Sequence, residues 1–131
     1  MKTVYIMISI PLVVVILFLA FNKIYRFNTI DKSLWKKISK GAILLDVRTD
    51  REYKKGHIEG SLNISLGTIR KRYVELDATK TYVAYCSHGI RSVEVKNILR
   101  EKGFKKVFNG GAMSDLLTVI EKNSPKNDLC V

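Results

Sequence analysis

The chain has 131 residues, 47% hydrophobic and 27% charged, and its 23 Lys and Arg against 12 Asp and Glu give a formal net charge of +11. That length holds one domain and excludes two. Cys86 and Cys130 are the only cysteines, which leaves no basis for a disulfide framework or a cysteine metal site.

From Thr3 to Asn22 no residue is charged, and most are Ile, Leu, Val or Phe. At about 1.5 Å per residue the run covers roughly the ~30 Å hydrocarbon thickness of a bilayer. Residues 3–22 are therefore expected to form a transmembrane helix, in which Pro11 is tolerated. A cleaved signal fits less well, because bulky Phe18 stands where cleavage after Ala20 wants a small residue. A buried soluble helix would need a polar face that the segment lacks. Lys2 alone precedes the run, whereas Lys23, Arg26, Lys32, Lys36, Lys37 and Lys40 follow it. The positive-inside rule then predicts a single-pass protein of the cell membrane with its C-terminal domain in the cytoplasm. The basic flank can rest on anionic headgroups. It accounts for part of the net charge, and no nucleic-acid motif is visible, so the membrane rather than nucleic acid is the expected partner. An anchor also suggests a membrane-protein partner.

Residues 23–28 read as a juxtamembrane connector, and residues 29–122 as the folded domain. Thr29 or Asp31 can cap a helix carrying Leu34, Trp35 and Ile38 on one side, ended by Gly41. Ala42 to Leu45 is a short continuous apolar run, as expected of a buried parallel strand, and leads into Asp46-Val47-Arg48. Asp50 to Lys55 reads as a short helix, His57 to Gly60 as a turn, Ser61 to Ile64 as a strand and Thr68 to Val74 as weakly helical. Thr81 to Tyr85 is a third strand and delivers Cys86. Ser92 to Lys102 is a helix with Val95, Ile98 and Leu99 facing inward. Val107-Phe108 is a fourth strand, Gly110-Gly111 a turn, and Ser114 the cap of a last helix bearing Leu116, Leu117 and Ile120. Residues 123–131 read as a flexible tail. Strands alternating with helices predict an α/β domain around a mainly parallel sheet. Ligands of such sheets sit beyond the carboxyl ends of the strands, where Cys86 falls.

The chemistry concentrates in Cys86-Ser87-His88-Gly89-Ile90-Arg91. Unpaired N–H groups at a helix start stabilise an anion, so they lower a thiol pKa and can cradle an anionic substrate. Gly89 permits a tight turn and close approach to the backbone. Arg91 adds a permanent cation with planar donors. The same hexapeptide is compatible with a buried structural cysteine before a turn. A free, working thiol fits a reducing compartment. Cys130 is either an incidental thiol or a resolving partner for Cys86.

Three stretches in order resemble the rhodanese homology domain, the sulfurtransferase family. They are Leu44-Leu45-Asp46-Val47-Arg48 with Glu52-Tyr53; Gly56 to Ile64; and Cys86 to Ser92 with Gly103-Phe104 and Val107 to Gly111. The whole chain looks like the small membrane-anchored, single-domain bacterial type. The resemblance implies a rhodanese-like three-layer fold with no metal and no cofactor. It implies that the Cys86 thiolate takes the outer sulfur of thiosulfate or of a persulfide donor, holds it as a persulfide, and yields it to a thiol or cyanide acceptor. The loop Ser87, His88, Gly89, Ile90 and Arg91 would cradle the donor, with Asp46 and Arg48 as supports at a strand end. His57 would hold the turn after Gly56. His88 stands where many members have a small hydroxyl residue, and Met113 to Leu116 where many have a Trp. Phosphatases and arsenate reductases share the fold, but the phosphatases have a longer loop than the four residues between Cys86 and Arg91, and the smaller ring suits sulfur. A recruitment or persulfide-sensing module without turnover is the reading from another class.

Overall fold

The computed structural model describes the backbone of residues 2–28 and 33–125 and, within these, the side chains of residues 9–22 and 33–125. Thr29, Asp31 and Cys130 lie outside the described residues. Helix α1 runs Lys2–Asn28 and α2 Leu34–Ser39. Strand β1 (Ile43–Asp46), α3 (Asp50–Lys55), β2 (Leu62–Asn63), α4 (Ile69–Arg72) with a 3₁₀ turn, β3 (Tyr82–Cys86), α5 (Ile90–Glu101), β4 (Val107–Ala112) and α6 (Met113–Asn123) follow.

The four strands lie in the order β2-β1-β3-β4, and every pairing is parallel. The expected mainly parallel sheet is thus wholly parallel among the described residues. Alternation along the strands divides the core, because successive side chains of a strand point to opposite faces. Leu45, Tyr82, Ala84 and Cys86 share one cluster with Val95, Ile98 and Leu99 of α5 and Ile69 of α4. Leu44, Val83 and Tyr85 share the other with Leu34 of α2 and Leu116 of α6. The result is three layers, with helices on both faces of the sheet.

The chain leaves β1 toward β2 on one side and returns to β3 on the other. The crossover point therefore lies between β1 and β3, whose last paired residues are Asp46 and Tyr85. Parallel α/β sheets open a crevice at that place. Cys86 closes β3 at this end of the sheet, opposite Ala112 of β4.

Several boundaries differ from the sequence expectation, each for a local reason. The Gly110-Gly111 pair is not a turn but part of β4. Register slips there, since Ala84 pairs with Asn109 and Tyr85 with Gly111, leaving Gly110 as a bulge. A Cβ at Gly110 would sit 2.9 Å from Val83 Cγ1 and 3.1 Å from the Ala84 carbonyl oxygen, so only glycine lets the strands approach this closely. Helix α6 begins at Met113 from an extended Ala112, with no side-chain cap, so Ser114 lies inside the helix rather than before it. Helix α5 begins at Ile90, two residues before the expected Ser92.

The N-terminal helix is continuous, and the described Ile10 to Phe21 include large apolar side chains more than half exposed. Among the described residues no helix is long and apolar enough to cross a membrane. The expected transmembrane span at 3–22 is therefore not shown by the structure.

Candidate active site

Strand β3 ends and α5 begins within four residues, and the connection wraps around the Cys86 sulfur. Cys86 is almost fully buried. Gly89 takes a left-handed conformation, with φ +88°, at the N-cap of α5. That turn aims its N–H at Cys86 Sγ at 3.0 Å. A side chain at Gly89 would face the Gly111 backbone at 3.4 Å as well as the φ penalty. The Ser92 hydroxyl lies 3.7 Å from the same sulfur.

These contacts set the thiol's acidity. Burial is the largest single influence and pushes the pKa up. The backbone N–H groups of Ser92, His88 and Gly89, joined by the Ser92 hydroxyl, together outweigh it and leave the pKa lowered. The sulfur is thus tuned toward thiolate by unpaired amides at a helix start, as sequence reasoning expects.

Arg91 does not point its charge at an empty loop. Its Nη1 and Nη2 donate to the two carboxylate oxygens of Glu52, each at 2.9 Å. Nη2 also donates to Ser87 Oγ at 3.2 Å, and Ser87 donates to Glu52. Glu52 belongs to the first turn of α3, where it and Thr49 form a reciprocal capping box. Arg91 first, then the Thr49 amide and hydroxyl, hold Glu52 well below the usual carboxylate range. So α3 is tied to the cysteine loop through one bidentate ion pair.

Asp46 and Arg48 make a second pair. Arg48 Nε donates to Asp46 Oδ1 and Oδ2 at 2.9 and 3.1 Å, and its Nη2 donates to Oδ2 at 2.6 Å. Nη2 also reaches the Gly56 carbonyl at 2.7 Å. The adjacent turn is pinned from the sheet as well: Ile58 N–H donates to the Tyr85 hydroxyl, which bonds Ser61 Oγ. His57 stacks on Tyr53 with centroids 3.7 Å apart and bonds the Tyr53 carbonyl. These groups hold the 56–61 turn against β1 and β3.

The predicted loop residues Ser87 to Arg91 are brought together around Cys86. His88 contributes its backbone N–H, and its imidazole is exposed. Ile90 opens α5 with 71% of its surface exposed. Three residues had no role assigned from sequence. Glu52 carries an S/T-x-x-E spacing from Thr49 that could have revealed its cap, though not its partner. Ser92 donates to Asn109 Oδ1 at 2.7 Å and to the Gly89 carbonyl at 3.0 Å. Asn109 Oδ1 also accepts from Gly111 N–H at 3.0 Å, and only its place in the Val107 to Gly111 stretch marks it in the sequence. Among the described residues no group of His, Cys, Asp and Glu could hold a metal ion.

The rhodanese-like domain family model matches residues 31–112, which contain every element of this site. The chain belongs to that family. This rhodanese-like chain is 34% identical over 74 residues to the thiosulfate sulfurtransferase PspE of Escherichia coli, covering 55% of this chain and 71% of that protein. It is 34% identical over 76 residues to the thiosulfate sulfurtransferase GlpE of Coxiella burnetii, covering 57% of this chain and 71% of that one. It is 38% identical to the tRNA sulfurtransferase of Thermoplasma acidophilum over 66% of this chain, but spans only 17% of that longer protein. Among solved structures, a rhodanese with anions from E. coli matches with a TM-score of 0.54 and 32% identity, over 57% of this chain and 91% of that one. The rhodanese-like fold, with its four-stranded all-parallel sheet, is thereby shown.

Proposed function

We propose that the protein is a membrane-anchored sulfurtransferase that carries sulfane sulfur as a persulfide on Cys86. The observation that carries this reading is the ring of donors on one sulfur: the N–H groups of His88, Gly89 and Ser92 lower the Cys86 pKa against the effect of burial. The naming of PspE and GlpE as thiosulfate sulfurtransferases supports it.

In the first half-reaction the Cys86 thiolate attacks the outer sulfur of thiosulfate. A Cys–S–S bond forms, the donor S–S bond breaks, and sulfite leaves with the electron pair. A persulfide donor reacts in the same way and releases a thiolate. In the second half-reaction an acceptor thiolate or cyanide attacks the terminal sulfur and Cys86 leaves as thiolate. No external oxidant or reductant enters either step. The loop amides hold the negative charge, which moves from Cys86 to the terminal sulfur and back, in a setting already arranged for it. Arg91 fixes the loop to α3 through Glu52, while Asp46 and Arg48 support the strand ends.

The anchor rests on the uncharged run from Thr3 to Asn22, the cations that follow it, and the exposed apolar side chains of α1. It would place the domain at the cytoplasmic face of the cell membrane, beside a membrane-protein partner that supplies or takes the sulfur. Full-length protein in detergent, incubated with thiosulfate or a persulfide, should gain the mass of one sulfur at Cys86. Cyanide or a thiol should remove it over repeated cycles. Failure to load from either donor sinks the catalytic reading and promotes recruitment without turnover. Recovery in the soluble fraction after alkaline extraction of membranes would sink the anchor.

A further inference from the structure

The one permanent cation of the cysteine loop is already spent. Within residues 86–91 only Arg91 carries a fixed positive charge. Both of its terminal nitrogens are taken by the two oxygens of Glu52 at 2.9 Å. Thr49 locks Glu52 in that position with its amide at 2.9 Å and its hydroxyl at 2.8 Å. The carboxylate is an α3 cap as well as a counter-ion, so it is not free to swing away when a donor arrives. The guanidinium and carboxylate together present a neutral unit to the loop.

The two donor classes differ in what they ask of such a site. Thiosulfate brings two negative charges beside a thiolate that already carries one. An alkyl persulfide anion, with an uncharged organic part, brings a single charge on the sulfur that is transferred. Backbone amides can hold one displaced charge at the sulfur position. The second charge of thiosulfate finds no unpaired side-chain cation among the described residues of the loop. The loop instead displays Ile90, 71% exposed, with Val93, 39% exposed, one turn further along α5. Exposed apolar surface on this first turn of α5, next to the loop, suits the organic part of a persulfide.

We propose that Glu52 is a specificity-determining residue: by neutralising Arg91 it turns the loop against dianionic donors and toward persulfides with an uncharged organic part. This rests on the sulfurtransferase reading above and names the donor class of that same site. Both reactions balance without a further reagent: the Cys86 thiolate gains the outer sulfur, and the donor's S–S electron pair leaves on sulfite or on the alkyl thiolate.

The test uses the full-length protein in detergent with two donors, thiosulfate and the persulfide of 2-mercaptoethanol, and cyanide as common acceptor. The wild-type protein should show the higher kcat/KM with the persulfide. Glu52→Gln keeps the shape of the cap and frees the Arg91 charge. It should raise thiosulfate kcat/KM relative to persulfide by about five- to tenfold, the size of one unit charge at ~4 Å under water-like screening, as befits a half-exposed pair. Ile90→Lys places a cation at an exposed position of the same loop and should shift the ratio in the same direction, should the Glu52 variant fold poorly. Glu101→Gln removes the same charge near the far end of α5, about 15 Å along the helix from the loop, and should leave the ratio unchanged. If neither donor loads Cys86, the sulfurtransferase reading itself fails. If both load and thiosulfate is preferred, the donor proposal alone is overturned. It also falls if the ratio ignores Glu52→Gln and Ile90→Lys, or if Glu101→Gln shifts it as far.

Discussion

The domain contains two arginine–carboxylate pairs of nearly the same chemistry at different depths. The Arg48–Asp46 side chains are 8% and 0% exposed, whereas those of Arg91–Glu52 are 32% and 34% exposed. The deep pair bonds a carbonyl, spans two residues of sequence and pins a turn. The shallow pair joins elements 39 residues apart and borders the reactive sulfur. Depth separates what the two pairs cost to break: a buried charge cannot lose its partner without a large cost, while a half-exposed one is eased by solvent.

The comparison is anchored by removing the sulfur itself. Cys86→Ser should abolish sulfur loading, read as complete loss of the added mass, while the fold survives because the side chains are nearly isosteric. Next in size is the deep pair. Asp46→Ala strands the Arg48 guanidinium in a site of low exposure and should cost about 3–5 kcal/mol in urea unfolding. Arg91→Ala should cost less than ~1 kcal/mol by the same measurement, because its pair is partly solvated. If the two variants destabilise equally, depth does not distinguish the pairs. Ser92→Ala should raise the Cys86 pKa, read from the pH dependence of iodoacetamide alkylation, because it removes the hydroxyl whose contact with the sulfur lowers it. Arg91→Ala should raise it too, because it removes a cation from the loop and leaves the Glu52 carboxylate unpaired beside it.

The smallest effect is on stability against pH. The folded Cys86 pKa is lowered below its ordinary value of 9.0. The unfolded chain therefore binds more protons in the window between the two, and stability should rise with pH across it. The contribution is lost as pH falls through the folded pKa. Unfolding midpoints of the wild type and Cys86→Ser should diverge upward through this window, and parallel curves would contradict the lowered pKa.

Much of this architecture is legible in the chain because its signals are local. The apolar stretch before Cys86, the Val95, Ile98 and Leu99 stripe and the Asp50–Lys55 helix all follow from neighbours a few residues apart. Cys86 and its ring of amides follow from a strand feeding a helix through a short glycine loop. What stayed hidden depends on distant segments. The Glu52 carboxylate has an ordinary capping position, and nothing in its sequence says that Arg91 will arrive there. Asn109 meets Ser92 only because β4 runs beside β3. The Gly110 bulge likewise looked like a turn, since a Gly-Gly pair favours either and only close packing on Val83 decides.

The strand order β2-β1-β3-β4 has a consequence for the newly made protein. Strand β1 must be joined by β3, with the 35 residues between Asp46 and Tyr82 looped out, before Cys86 has its place at the end of the sheet. Parallel pairings of this separation form late, after their loop-closure cost has been met. During synthesis Cys86 is therefore an ordinary thiol, largely protonated at neutral pH. Its lowered pKa belongs to the native crossover alone, so the nascent chain carries a thiol with less thiolate character than the folded one.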